Sequence, residues 1–246
     1  MSSRGNCLQF DVGNSSAKWR LVHSGSVLVR GSYRSDDEAA CAALFNCADT
    51  LDDIWISSVA SPAAEQQLVA VLKEKWDTQP WFARPQSQTG KLYNSYAEPH
   101  RMGVDRWLAM LGAQHRVHGR LCVIDAGSAL TIDLVSAAGQ HEGGYIIPGP
   151  ALMERALLLD TDRVRFDEAV DFALSPGTST AAAVRHGIAL AQAGAVALAL
   201  EQSAGTPTAL LFCGGAGEML MNLLGRGGEW APDLVFEGLE VMAALR

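Results

Sequence analysis

The sequence predicts an α/β fold built from two similar halves, and three observations lead there. Apolar runs of strand length alternate along the chain with longer segments of helical periodicity. One strand–turn–strand pattern occurs twice, once near the start and once near the middle of the 246 residues. No low-complexity linker rich in Pro, Gly or Ser interrupts the chain between these copies.

The first copy is Leu8-Gln-Phe-Asp11-Val-Gly13-Asn-Ser, followed by the apolar stretch 19–22. The second is Val123-Ile-Asp125-Ala-Gly127-Ser-Ala, followed by 130–135. An apolar run, a Gly-bearing turn and a second apolar run describe a β-hairpin. Asp11 and Asp125 lie 114 residues apart (125 − 11), close to half the chain. Duplication follows, one hairpin per half, with a boundary near Gly119 and domains of residues 1–118 and 119–246. In the first half, 53–59 reads as a strand and 63–76 as an amphipathic helix. The acidic run Asp36-Asp37-Glu38 marks a helix start. Residues 105–118 form a helix with Trp107, Leu108, Leu111 and Val117 at near-helical spacing. His115 and His118 are spaced i,i+3 on it, but no third ligand accompanies them, so surface histidines are expected. The second half predicts helices at 151–159, 179–202 and 218–224, and a strand at 208–212 running into Gly214-Gly215.

Composition bounds the function. Hydrophobic residues make up 48% and charged ones 19%, enough for a buried core and against disorder. With 19 Lys+Arg against 27 Asp+Glu, the net charge is −8, which opposes a broad nucleic-acid or anionic-membrane surface. It leaves nucleotides open, because backbone N–H groups and metal ions can hold phosphates. The five cysteines (Cys7, Cys41, Cys47, Cys122 and Cys213) include no C-x-x-C pair. Neither a disulfide framework nor a zinc site is expected, and a cytoplasmic setting is; Cys7 and Cys122 read as core thiols. The first ten residues lack the apolar run of a secretory signal. The uncharged stretch 186–200 contains His186 and Gln192 and reads as a core or interface helix, too short and too polar to span a membrane.

Two segments carry chemistry. In the first turn, Gly13 lets the backbone approach a polyanion. The N–H groups of Asn14, Ser15 and Ser16 can then donate to phosphate oxygens, and Lys18 adds a positive charge. Asp11 would repel phosphate directly, so its useful role is to hold Mg²⁺. A single such turn is usually just a turn; two at half-chain spacing, plus Gly214 to Gly217, fit a nucleotide clamped between two lobes. The second segment runs from Asn94 through Tyr96 and Pro99 to Gly103-Val104-Asp105-Arg106. Here Asp105 is either a first-turn helix acid or a general base, with Arg106 anchoring an anionic substrate.

The ordered series of motifs resembles the type III pantothenate kinases, in the superfamily of sugar kinases, actin and heat-shock ATPases. Besides the two segments above, it comprises Asp125-Ala-Gly-Ser-Ala-Leu-Thr-Ile-Asp133 and Gly143-Gly-Tyr-Ile-Ile-Pro148-Gly149. Gly177-Thr-Ser-Thr180 with Gly187, Gly214-Gly215 and Pro232-Asp-Leu-Val-Phe-Glu-Gly238-Leu239 complete it. The resemblance covers nearly the whole chain and implies two ribonuclease H-like, actin-like ATPase lobes, each a mixed sheet with helices, around a nucleotide cleft. It implies ATP-dependent phosphorylation of pantothenate, the first step of coenzyme A synthesis, by a homodimer.

By the same resemblance, Asp11, Val12, Gly13, Asn14, Ser15, Ser16, Ala17 and Lys18 form the first phosphate-binding segment. Ser128 lies in the second, where the family usually carries Thr. Asp125 matches a ligand of a monovalent cation, K⁺ or NH₄⁺. Tyr96, Gly103, Val104, Asp105, Arg106 and Thr180 match pantothenate-contacting positions, with Asp105 the catalytic base. Tyr145 has no assigned role, and a packed aromatic is the expected reading. The alternatives are a binding-only, transcription-accessory member of the family, such as the Bvg accessory factor, and a related kinase or phosphohydrolase acting on another small molecule.

Overall fold

A computed structural model describes residues 5–13, 17–203 and 208–246. The chain forms two compact units: residues 1–116 with 234–246, and residues 117–233.

The first unit opens with β1 (Asn6–Val12), β2 (Ala17–His23) and β3 (Ser26–Tyr33), an antiparallel meander. Helix α1 (Glu38–Phe45) follows, with Asp37 as its N-cap accepting from the Ala40 N–H, so the acidic run does start a helix. Strand β4 (Asp53–Ser58) then pairs parallel to β1. Helix α2 (Pro62–Trp76), capped by Ser61, leads to β5 (Trp81–Phe82), parallel to β4. The sheet order is β3-β2-β1-β4-β5. A small ribbon of β6 (Gln88–Thr89) and β7 (Leu92–Tyr93) precedes helix α3 (Val104–Arg116).

The second unit repeats this plan. Strands β8 (Leu121–Ala126), β9 (Ala129–Val135) and β10 (His141–Pro148) form an antiparallel meander. Helices α4 (Pro150–Asp160) and α5 (Thr180–Gln202) lead to β11 (Ala209–Cys213), parallel to β8. Helix α6 (Gly217–Leu224) leads to β12 (Glu229–Trp230), parallel to β11. The order β10-β9-β8-β11-β12 reproduces that of the first sheet. The duplication read from two hairpins therefore extends to all five strands of each sheet.

The chain does not divide into two contiguous halves at 118/119. Helix α7 (Leu234–Ala244) returns to the first unit and packs on α3, β1 and β4. The reason is steric fit. Leu108 and Gly112 on α3 face Leu234 and Gly238 on α7, and a Cβ on either glycine would overlap the other helix's backbone. Bare backbone on both sides lets the two helices cross in close contact.

Apolar side chains of the central strands pack into one core in each unit. Leu8, Phe10, Trp19, Leu21, Ile54 and Ile56 join Leu44, Leu68 and Leu72 in one core. Cys122, Ile124, Ile132 and Phe212 join Ala193, Val196 and Leu220 in the other. Cys7 and Cys122 are buried thiols, and Trp55, Trp76 and Trp107 are buried as anchors.

Two expectations change. Helix α3 ends at Arg116, so His118 lies beyond it and the i,i+3 pairing with His115 is not realised on one helix. Helix α5 is 23 residues long, and by length and composition alone it would pass for a membrane span, unlike the shorter stretch read from the sequence. It nevertheless buries Ala181, Ile188, Ala189, Gln192, Ala193, Val196 and Ala199, the pattern of a helix packed on its own unit.

Candidate active site

In the first unit, Asp11 is the penultimate residue of β1 and lies opposite Lys18 of β2. Cross-strand partners share a sheet face, so the hairpin presents a carboxylate and an exposed ammonium together. On the other side Asp11 pairs with Ser57 of β4, whose hydroxyl donates to Asp11 Oδ1 at 3.5 Å. Val12 pairs with Ala17, closing the hairpin around Gly13. Asn14, Ser15 and Ser16 lie outside the described residues. The sequence reading missed Ser57, although a Ser57-Ser58 pair ending an apolar strand is itself a signal.

The second cluster is built on the first turn of α3. Pro99–Arg101 forms a short 3₁₀ turn, and Met102 and Gly103 lead into the helix. Asp105 Oδ1 accepts the Arg106 backbone N–H at 2.8 Å, so the carboxylate does satisfy a helix N-terminal donor. It also lies so close to Gly103 that a Cβ there would come within 2.5 Å of Oδ1. Arg106 is 5% exposed, and its Nη1 donates to the Tyr96 hydroxyl at 2.9 Å while its guanidinium lies 5.8 Å from the Tyr96 ring centroid. Tyr96 is itself placed by its backbone N–H, which donates to Asn94 Oδ1 at 2.9 Å. Tyr96, Gly103, Asp105 and Arg106 thus form one cluster, and the neighbouring Val104 is buried. Together they offer a fixed cation, a phenol and a half-buried carboxylate, a set suited to an anionic substrate bearing a nucleophilic hydroxyl.

In the second unit, three glycine turns meet. Asp125 ends the fully paired part of β8, opposite Thr131 of β9 and Cys213 of β11. Gly214, with φ +81°, lies against the Asp125 carboxylate and the Ala126 backbone so closely that a Cβ would overlap both. Gly149 lies against the Gly127 and Ser128 carbonyls, and its N–H donates to Ser128 O at 3.0 Å. Ser128 itself is exposed at the turn. Thr180 is the exposed first residue of α5, capped by Ser179, and lies on an apolar groove of about 900 Å³ with Leu152, Met153, Leu157 and Ile188. Tyr145, 46% exposed on β10 opposite Ile132, is not a packed core aromatic.

The duplicated sheet defines the class first. The chain superposes over 96% of its length on a Campylobacter jejuni protein assigned to the Baf family of transcriptional activators, with TM-score 0.62, 20% identity and 97% of that chain covered. It superposes equally on a Sinorhizobium meliloti protein assigned as 2-dehydro-3-deoxygalactonokinase, with TM-score 0.62, 16% identity, and 96% and 97% of the two chains covered. The fold is that of the actin-like ATPases and sugar kinases. Within it, the type III pantothenate kinase family model matches residues 7–202. A type III pantothenate kinase of Pseudomonas syringae pv. syringae is 37% identical over 97% of this chain and 99% of its own. The chain belongs to the type III pantothenate kinase family, and its class is phosphotransferase.

Proposed function

We propose that this chain transfers the γ-phosphoryl group of ATP to the primary hydroxyl of pantothenate, with the α3 N-terminal cluster as the acceptor site. What supports this site most is that the Asp105 carboxylate and the Arg106 guanidinium share the first turn of α3, with Arg106 Nη1 donating to the Tyr96 hydroxyl at 2.9 Å. Arg106 and Tyr96 bind the acceptor's carboxylate and polar groups. The acceptor oxygen forms a bond to the γ-phosphorus as the bridging bond to ADP breaks. Asp105 takes the hydroxyl proton. A carboxylate with a reference pKa near 3.9 is a weak base, so the proton moves late and positioning does most of the work.

On the nucleotide side, Asp11 to Lys18 and Ser128 are the phosphate-binding segments. Asp11, beside the Ser57 hydroxyl, would hold a Mg²⁺ ion, a hard cation that takes oxygen ligands. Among the described residues no group of three or more His, Cys, Asp or Glu forms a complete protein cage. The ion would neutralise phosphate charge. Asp125 is the residue for a monovalent cation; equal rates in Na⁺ alone and in K⁺ would contradict that role. Cysteine usage supports a cytoplasmic setting, and resemblance together with exposed Leu152, Leu157, Leu190 and Leu198 on α4 and α5 supports a homodimer. A monomeric mass in solution would contradict the dimer.

The binding-only reading has less support, since Asp11, Asp105, Arg106 and Asp125 are all present. The deciding experiment offers the enzyme ATP with pantothenate, sugars, acetate or polyphosphate and follows ADP and phosphate. Pantothenate-dependent ADP release is expected; dominant pantothenate-independent phosphate release would overturn the proposal in favour of a hydrolase.

A further inference from the structure

The face of the first sheet beneath α7 carries an unusual pair. Gln9 of β1 and Arg20 of β2 are register partners, 1% and 4% exposed. Arg20 Nε donates to Gln9 Oε1 at 2.8 Å, and Arg20 Nη2 donates to Glu240 Oε1 of α7, also at 2.8 Å. Gln9 Nε2 donates to the same Glu240 oxygen at 3.1 Å, and the guanidinium lies 4.6 Å from the Phe236 ring centroid. Stability alone does not account for this set: desolvating a guanidinium is costly, and apolar residues of similar volume often serve a core as well. Its location does. Strand periodicity puts Gln9 and Asp11 on one face, and likewise Arg20 and Lys18. The Gln9–Arg20 pair is therefore the next same-face pair after Asp11–Lys18.

We propose that Arg20, tied by Gln9 to the sheet and by Glu240 to α7, is a positioning residue for Lys18 and Asp11. It fixes the β1–β2 pair against the C-terminal helix, so that the ammonium and carboxylate at the hairpin's end meet phosphate in one geometry. This rests on the reading of Asp11–Lys18 as part of the nucleotide site. The Glu240 side chain is 41% exposed, and the melting temperature reports what its replacement costs the fold.

The test is a double-mutant cycle on the full chain, reading equilibrium affinity for a non-hydrolysable ATP analogue with Mg²⁺, alongside the melting temperature. The variants are Lys18→Ala, Glu240→Ala and the two combined. Positioning predicts that Glu240→Ala weakens binding by roughly 5- to 10-fold with Lys18 present and by less than about twofold without it. Glu240→Gln, which keeps the shape and an acceptor oxygen, shows the same coupling at smaller size. An equal loss on both backgrounds, or no loss, overturns the inference and leaves Arg20 a structural residue. If Lys18→Ala leaves affinity unchanged, the phosphate role of the hairpin itself fails, and the inference falls with it.

Discussion

Arg106 Nη1 donates to the hydroxyl of Tyr96 at 2.9 Å, joining a residue of the α3 first turn to one ten positions earlier in the chain. The bond holds a buried guanidinium in one orientation within the cluster proposed to bind the acceptor. Tyr96→Phe removes the acceptor oxygen while keeping the ring. A lost hydrogen bond to a charged group is worth about 1.5–3 kcal/mol, so kcat/KM for pantothenate should fall roughly 10- to 150-fold. The KM for ATP should stay within about twofold. Steady-state kinetics with each substrate varied checks this; a change confined to ATP would place the pair elsewhere.

Gly103 is set by close approach rather than by backbone angle. A Cβ there would lie 2.5 Å from Asp105 Oδ1, so Gly103→Ala must displace the carboxylate. A shift of about 1 Å in a positioned group can cost roughly 100-fold in rate. Turnover should drop by that order while helical circular dichroism is retained.

Glycines on helices divide by what faces them. Gly238→Ala places a methyl into the Leu108 backbone at the α3–α7 crossing and should cost about 1–3 kcal/mol, as overpacking does. Gly194, exposed in the middle of α5, has open space at its Cβ position. Gly194→Ala should stabilise by about 0.5–1 kcal/mol, since glycine costs that much in a helix interior. Urea unfolding of the two variants tests the contrast; equal effects would refute the close crossing.

Burial pushes the thiols of Cys7 and Cys122 from 9.0 up to about 12 each. Their neutral forms favour the fold below pH 9, where folded and unfolded thiols are both protonated. That stability is lost as pH rises from 9 toward about 12, because the unfolded thiols ionise first. Native protein at pH 8 should therefore leave Cys7 and Cys122 unmodified by a thiol reagent, and both should react after denaturation. Peptide mapping of the modified sites gives the answer, with native labelling of Cys122 as the contrary result.

The legible parts of the sequence were those where neighbours in the chain are neighbours in space. Both hairpins, strand β4 and helices α2 to α6 follow from apolar runs, turn glycines and periodicity. Strand β3 escaped because residues 26–30 are exposed on both faces and show no alternation. Helix α7 escaped because Gly238 interrupts its interior with a residue that normally weakens helices, and only the α3 backbone explains it. Its return to the first unit is a long-range packing fact with no local mark. The motif residues Asp11, Asp105 and Arg106 could be picked out by type and order. The Ser57-Ser58 pair is visible at the end of a strand, but nothing in the sequence pairs Ser57 with Asp11 or Glu240 with Gln9.

In the proposed reaction Asp105 takes the proton of the acceptor hydroxyl. Asp105→Asn keeps an oxygen for the Arg106 N–H and so keeps the helix start. The most direct measurement is the single-turnover rate of γ-phosphoryl transfer from ATP to pantothenate by this variant, with both substrates saturating. A fall of about 100- to 10,000-fold, with an unchanged melting temperature, is the predicted result. A near-normal rate would contradict the assignment and return Asp105 to the role of a helix-capping acid.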